Sequence, residues 1–130
     1  MAALIVAILG INMSHAEAVQ APTIINVPPA YELKSEYQRY LLTVLEEYGL
    51  GKDYEILSKV ITCESNFKAN ALHFNTNGTT DVGLFQINDI HGLSVEDRLS
   101  PQKNIEYGVK LYAEQGLAPW VCARIMGMIK

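Results

Sequence analysis

The chain has 130 residues, 49% of them apolar, and a formal net charge of -4 at pH 7. The length suits one domain and leaves no room for a second sizeable core, and the apolar share excludes general disorder. The acidic balance speaks against a nucleic-acid binder, which carries a basic stripe, and against long-range attraction to an anionic wall or membrane.

Residues 2–11 form an unbroken apolar run, too short to span a bilayer comfortably. Asn12, Ser14 and His15 follow, then Ala16-Glu17-Ala18, which has the A-x-A form of a processing site. We read residues 1–18 as a secretory signal peptide cut after Ala18. The usual basic start is missing, since no Lys or Arg precedes Lys34, and an uncleaved membrane anchor is the alternative. Export would place the mature chain in the periplasm or outside the cell, at the envelope. Pro22, Pro28 and Pro29, with no helical period around them, predict an extended linker over residues 19–34. The folded domain is then expected over residues 35–130.

Cys63 and Cys122 are the only cysteines, and in an exported protein such a pair is expected to bond. There is no Cys-x-x-Cys, and His15, His73 and His91 do not sit at ligand spacing. No metal site and no cofactor are expected.

The first predicted helix starts at Ser35, with a Ser-x-x-Gln capping box to Gln38. Tyr37, Tyr40, Leu41, Val44, Leu45 and Tyr48 share one face, and Gly49 is a natural stop. The second starts near Asp53 as N-cap, with Ile56, Val60, Cys63 and Phe67 as its core stripe and an end near Ser65. On that wheel Glu64 lies beside Leu57, at the edge of the stripe. Residues 72–82 read as a hairpin with a type I′ turn at Asn77-Gly78. Residues 83–88 form a short apolar turn, and a polar loop through His91 and Asp97 follows. Ser100-Pro101 opens another helix, with Ile105, Val109 and Tyr112 inward and Gly116 as its stop. Tyr107 lies opposite Ile105, at the surface or a cleft edge. A last helix from about residue 119 carries Trp120, Cys122, Ile125 and Met126.

The chemistry-bearing constellation is Glu64, in Cys63-Glu64-Ser65-Asn66-Phe67, with Asp81 following 17 residues later on the hairpin. One carboxyl group ends an apolar helix; the other sits among polar side chains. Such unequal environments push two carboxyl pKa values apart. Glycoside cleavage uses that division: an acid for the departing sugar oxygen, and a negative charge near the oxocarbenium-like centre.

Residues 64–88 resemble the catalytic segment of C-type lysozymes, in the acid-to-aspartate spacing and in the hairpin Asn75-Thr76-Asn77-Gly78-Thr79-Thr80-Asp81. They also resemble soluble lytic transglycosylase domains, through Glu64-Ser65 and Gly83-Leu84-Phe85-Gln86-Ile87. A third transglycosylase-like block is Asn104-Ile105, Gly108 and Leu111-Tyr112, with the last two residues in reversed order relative to that family. Together these features cover about residues 53–127.

The resemblance implies a mainly α, lysozyme-like α+β fold, a small helical domain with a short β-hairpin lining a glycan cleft. It implies Glu64 as general acid/base and Asp81 as second carboxylate, with Ser65, Gln86, Asn88, Tyr112 and Trp120 near the substrate. Asp81 has a second reading as a turn-fixing side chain, Asn88 as a cap, and Trp120 as a core anchor. The implied partner is the peptidoglycan glycan strand, cut by a monomer, with secretion, conjugation or phage machinery as a further partner class. Transglycosylation is favoured by the single cysteine pair and the Asn104-Ile105…Gly108 block. A hydrolytic lysozyme using Asp81, or a non-catalytic glycan-binding component, are the alternatives.

Overall fold

The computed structural model describes residues 35–130. The expected signal peptide and linker lie outside the described residues. Among the described residues no helix is long and apolar enough to cross a membrane.

Helix α1, Glu36–Glu47, begins with the expected capping box: Gln38 N donates to Ser35 Oγ at 3.2 Å, and Ser35 N donates to Gln38 Oε1 at 3.0 Å. It ends in a Schellman motif. Gly49, at φ 70°, donates to Glu46 O, and Leu50 N donates to Leu45 O. Leu41, Val44 and Leu45 are its buried face, while Tyr48 is exposed.

A 3₁₀ turn, Gly51–Asp53, leads into α2, Tyr54–Ser65. Asp53 precedes this helix but makes no side-chain cap; its carboxylate instead faces the Tyr112 hydroxyl. The buried face of α2 is Tyr54, Leu57, Val60 and Ile61. Ile56 is 37% exposed, and Cys63 and Phe67 also lie off the core, so the expected stripe is corrected by about one helical position. The cause is that Leu57 and Ile61, one step round from Ile56, point at the remaining core. Glu64 continues the Leu57–Ile61 row and is half-buried, as its wheel position implied. The chain then turns sharply, with Asn66 and Phe67 both left-handed at φ 51° and 57°.

Strands β1 (Leu72–Phe74), β2 (Thr80–Val82) and β3 (Ile87–Asn88) form an antiparallel sheet in the order β1-β2-β3. Leu72, His73 and Phe74 pair with Val82, Asp81 and Thr80. Their loop is not a type I′ turn, because Asn77 keeps a negative φ while Gly78 has φ 86°. Gly78 N donates to Asn75 O and Asn75 N donates to Thr79 O, which closes a three-residue loop with its left-handed residue last. The expected turn is present over residues 83–86, and its last two expected residues instead form the third strand, which pairs Val82 with Ile87.

Helix α3, Val95–Leu99, lies within the segment expected to be a polar loop, capped by Ser94. It carries Arg98, only 2% exposed. Arg98 Nη1 donates to Thr80 O at 2.9 Å and Ile87 O at 3.2 Å, binding β2 to β3. Helix α4, Pro101–Gln115, starts with Ser100 as N-cap and Pro at its first turn, and stops at Gly116, as expected.

The motif residues of α4 hold the turn before β3. Asn104, fully buried, donates to Val82 O and Arg98 O and accepts from Phe85 N. Gly83 fits beneath it: a Cβ there would lie 2.3 Å from Asn104 Nδ2. A Cβ on Gly108 would lie 2.2 Å from the Phe85 ring. These two glycines exist for close approach, and the sequence blocks around them are one packed unit.

Helix α5, Val121–Ile125, is tied to α2 by the Cys63–Cys122 disulfide across a sequence separation of 59. Closing a loop of that length stabilises by about 4 kcal/mol in the chain-entropy account.

Candidate active site

A cleft of about 870 Å³ runs between the sheet and the α2/α5 side. His73, Asn75, Thr79, Asp81 and Asn88 line one wall. Glu64, Trp120, Val121, Cys122 and Ile125 line the other, with Leu111 and Gln115 of α4. Ile90, Val121 and Ile125 are 76%, 56% and 75% exposed, so aliphatic groups stand on both rims. A smaller hollow of about 210 Å³ lies over the starts of α1 and α4; it is remote from these carboxylates.

Glu64 enters the cleft from the last turn of α2. Its Oε1 accepts a hydrogen bond from Cys122 N at 3.2 Å. Burial pushes its carboxyl pKa above the ordinary value, the Cys122 N–H pulls it down, and the Asp81 charge raises it further. Burial is the largest of the three, so the proton is held to higher pH than on a solvated glutamate.

Asp81 is held differently. Asn88 Nδ2 donates to its Oδ1 at 2.6 Å, and Asn75 Nδ2 donates to its Oδ2 at 2.9 Å. The same two amides reach Thr79 Oγ1, which donates on to Asn77 Oδ1 at 2.8 Å. A carboxylate fixed between two amide donors stays in place and presents negative charge. The cleft therefore sets a desolvated acid against a polar-bound carboxylate.

The other expected site residues divide. Gln86 lines the cleft in a left-handed conformation at φ 49°; its Nε2 donates to Gly83 O and Ala71 O, which fastens that turn. Asn88 lines it too, and its Oδ1 caps the following turn through Ile90 N. Trp120 is 3% exposed; it lines the cleft while its Nε1 donates to Phe85 O at 3.0 Å and its ring lies 5.3 Å from that of Phe85. It is a buried wall rather than an open platform.

Ser65 and Tyr112 do not line the cleft. Ser65 is 7% exposed and its hydroxyl donates to Leu84 O at 2.8 Å, pinning α2 to the Gly83 turn. Tyr112 turns towards Asp53, because the inward ridge of α4 at that turn is occupied by Leu111. Tyr107, half-buried, meets the His91 ring edge-on at 5.7 Å, at the cleft margin.

Sequence reasoning missed Asn75 and Thr79, although both stand in the hairpin motif it quoted. Two amides flanking a cleft aspartate were the available signal. His73 was missed as well; only the register, which places it opposite Asp81, brings it into the cleft. Among the described residues no group of His, Cys, Asp and Glu could hold a metal ion.

A mainly helical domain with a three-stranded antiparallel sheet, and a cleft between them, defines a lysozyme-like α+β protein. The family model described as the Transglycosylase SLT domain matches residues 45–115, more than half of the 130. The chain belongs to that family. No curated protein matches it.

Proposed function

We propose that this protein is a lytic transglycosylase of the cell envelope that cuts the β-1,4 bond between N-acetylmuramic acid and N-acetylglucosamine in peptidoglycan. The observation that carries the reading is Glu64: half-buried in the cleft, its proton held by burial and by the facing Asp81 charge. The family match and the disulfide between Cys63 and Cys122 support an envelope setting.

In this account Glu64 protonates the glycosidic oxygen as the bond to the muramoyl C1 breaks. The centre left behind has oxocarbenium character, and the Asp81 carboxylate, fixed by Asn75 and Asn88, offsets its charge. Glu64, now a carboxylate, takes the proton of the muramoyl 6-hydroxyl as that oxygen attacks C1. The product is a 1,6-anhydro ring, with no water consumed. Gln86 and Trp120 shape the cleft, and Ser65 and Tyr112 serve packing.

A second reading, hydrolysis, is favoured by Asp81 alone, since a carboxylate facing the acid could carry or stabilise a glycosyl intermediate. Clearing of purified sacculi by the protein and by Glu64→Gln, with mass analysis of the released fragments, tests both. The proposal expects anhydro ends from the parent and none from the variant. A variant as active as the parent would refute Glu64 as the acid, and a parent that releases no fragments would leave a glycan-binding component.

A further inference from the structure

Cys63 and Glu64 are neighbours on α2, and the residue at the other end of the disulfide, Cys122, supplies the N–H that Glu64 Oε1 accepts. The atoms form a closed circuit. It runs from the Glu64 carboxyl back along the chain to Cys63, across the sulfurs to Cys122, and through its N–H to the carboxyl again. The backbone part of that ring lies within α2, so its torsions at Cys63 and Glu64 are set by the helix.

The rest of α5 gives little independent hold. It is five residues long, and Val121 and Ile125 stand 56% and 75% exposed. A helix this short has no stability of its own in water. Among the described residues its anchors are the buried Trp120 and Ala123, the disulfide and the Cys122 N–H to Glu64.

We propose that the Cys63–Cys122 disulfide is the positioning device for Glu64, and that it makes glycan cleavage conditional on the oxidised state. The inference rests on Glu64 being the acid. It differs from the ordinary role of a disulfide as a staple against unfolding, because the bond is adjacent to the acid in sequence and its partner bonds that acid directly.

A dithiol reductant opens the ring. The S–S bond breaks, two electrons and two protons pass to the sulfurs, Cys63 and Cys122 become thiols, and the reductant becomes its own disulfide. Cys63 is exposed, so the reductant has access to one sulfur. Freed of the link, Cys122 N–H no longer stays within bonding distance of Glu64. A displacement of about 1 Å in a catalytic group can cost roughly 100-fold in rate.

The test uses the full chain in three states: oxidised, reduced by a dithiol, and reoxidised. Cleavage of soluble glycan strands is followed across pH, with far-UV circular dichroism and the fluorescence of Trp120, the only tryptophan. The expected result is a fall in kcat of about tenfold or more on reduction, with KM changed less than about threefold. The alkaline limb of the profile moves to higher pH, since the hydrogen bond that favoured the carboxylate is lost. Reoxidation restores both, and Cys63→Ser/Cys122→Ser behaves as the reduced protein.

An unchanged kcat with an unmoved limb overturns the proposal. So does loss of the circular dichroism signal on reduction, which would make the bond a global staple. If the oxidised protein cuts no glycan, the proposed function fails instead. Titration of the Glu64 carboxyl by NMR in both redox states then still decides: a pKa raised on reduction supports positioning, and an unchanged one refutes it.

Discussion

Replacing Gly108 by Ala tests whether the α4 motif is a packing device for the cleft. A methyl group there would sit 2.2 Å from Phe85 Cδ2, 2.5 Å from Cγ and 2.6 Å from Cε2. Ordinary contact needs about 3.4 Å or more, so ring or helix must give by about 1.2 Å. The ring has little freedom: Phe85 is fully buried, its N–H donates to Asn104 and its carbonyl accepts from Trp120. Overpacking costs about 1–3 kcal/mol, and an overlap this deep on a fully buried ring belongs in the upper half of that range, about 2–3 kcal/mol. Ala gains about 1 kcal/mol over Gly in a helix interior, which offsets part of it. The net expectation is a loss of about 1–2 kcal/mol, or roughly 5–15 °C in Tm for a domain of this size. Thermal unfolding of the oxidised protein by circular dichroism measures it. An unchanged or raised Tm would mean that Phe85 moves freely and that the Gly108 contact does not support the Gln86 turn.

Three further outcomes follow from particular groups. Glu64 has a folded pKa raised above its unfolded value, so its protonated form is favoured by folding, and that contribution is lost as pH rises through the folded pKa. Glu64→Gln should therefore raise Tm at pH 7, with the advantage closing by about pH 4; an advantage equal at both pH values would contradict burial as the cause. Asp81→Asn removes a charge that raises Glu64, so the alkaline limb of cleavage should move to lower pH in a pH–rate profile. An unmoved limb would show that the two carboxyl groups do not interact. Arg98→Ala leaves Thr80 O and Ile87 O without their shared donor and should cost about 2–3 kcal/mol in urea unfolding, against a loss under 0.5 kcal/mol if the β2–β3 clamp is dispensable.

Local signals were the legible ones. Ser35 and Gln38, Gly49, Ser100-Pro101 and Gly116 each mark a helix end through backbone chemistry that needs no tertiary partner. Glu64 was legible because its place on the helix wheel is set by a fixed rotation per residue. The stripe of α2 was misplaced because Ile56 and Leu57 are equally apolar, and only the packed neighbours choose between them. The third strand and α3 escaped notice for a related reason. Ile87-Asn88 is too short to show a period, and Arg98 reads as a surface cation until β2 and β3 present it with carbonyl oxygens. Site membership was least legible where a side chain can face two ways. Ser65 and Tyr112 belong to motif blocks, yet the structure spends both on packing between elements. His73 enters the cleft only through the strand register.

The central claim is that Glu64 drives an intramolecular ring closure rather than delivery of water. Digestion of sacculi in ¹⁸O-labelled water tests it most directly, with the released fragments read by mass spectrometry. The account predicts anhydro-muramoyl ends, one water lighter than reducing ends and free of label, and no such ends from Glu64→Gln. Reducing ends carrying ¹⁸O would contradict it and assign the cleft to hydrolysis.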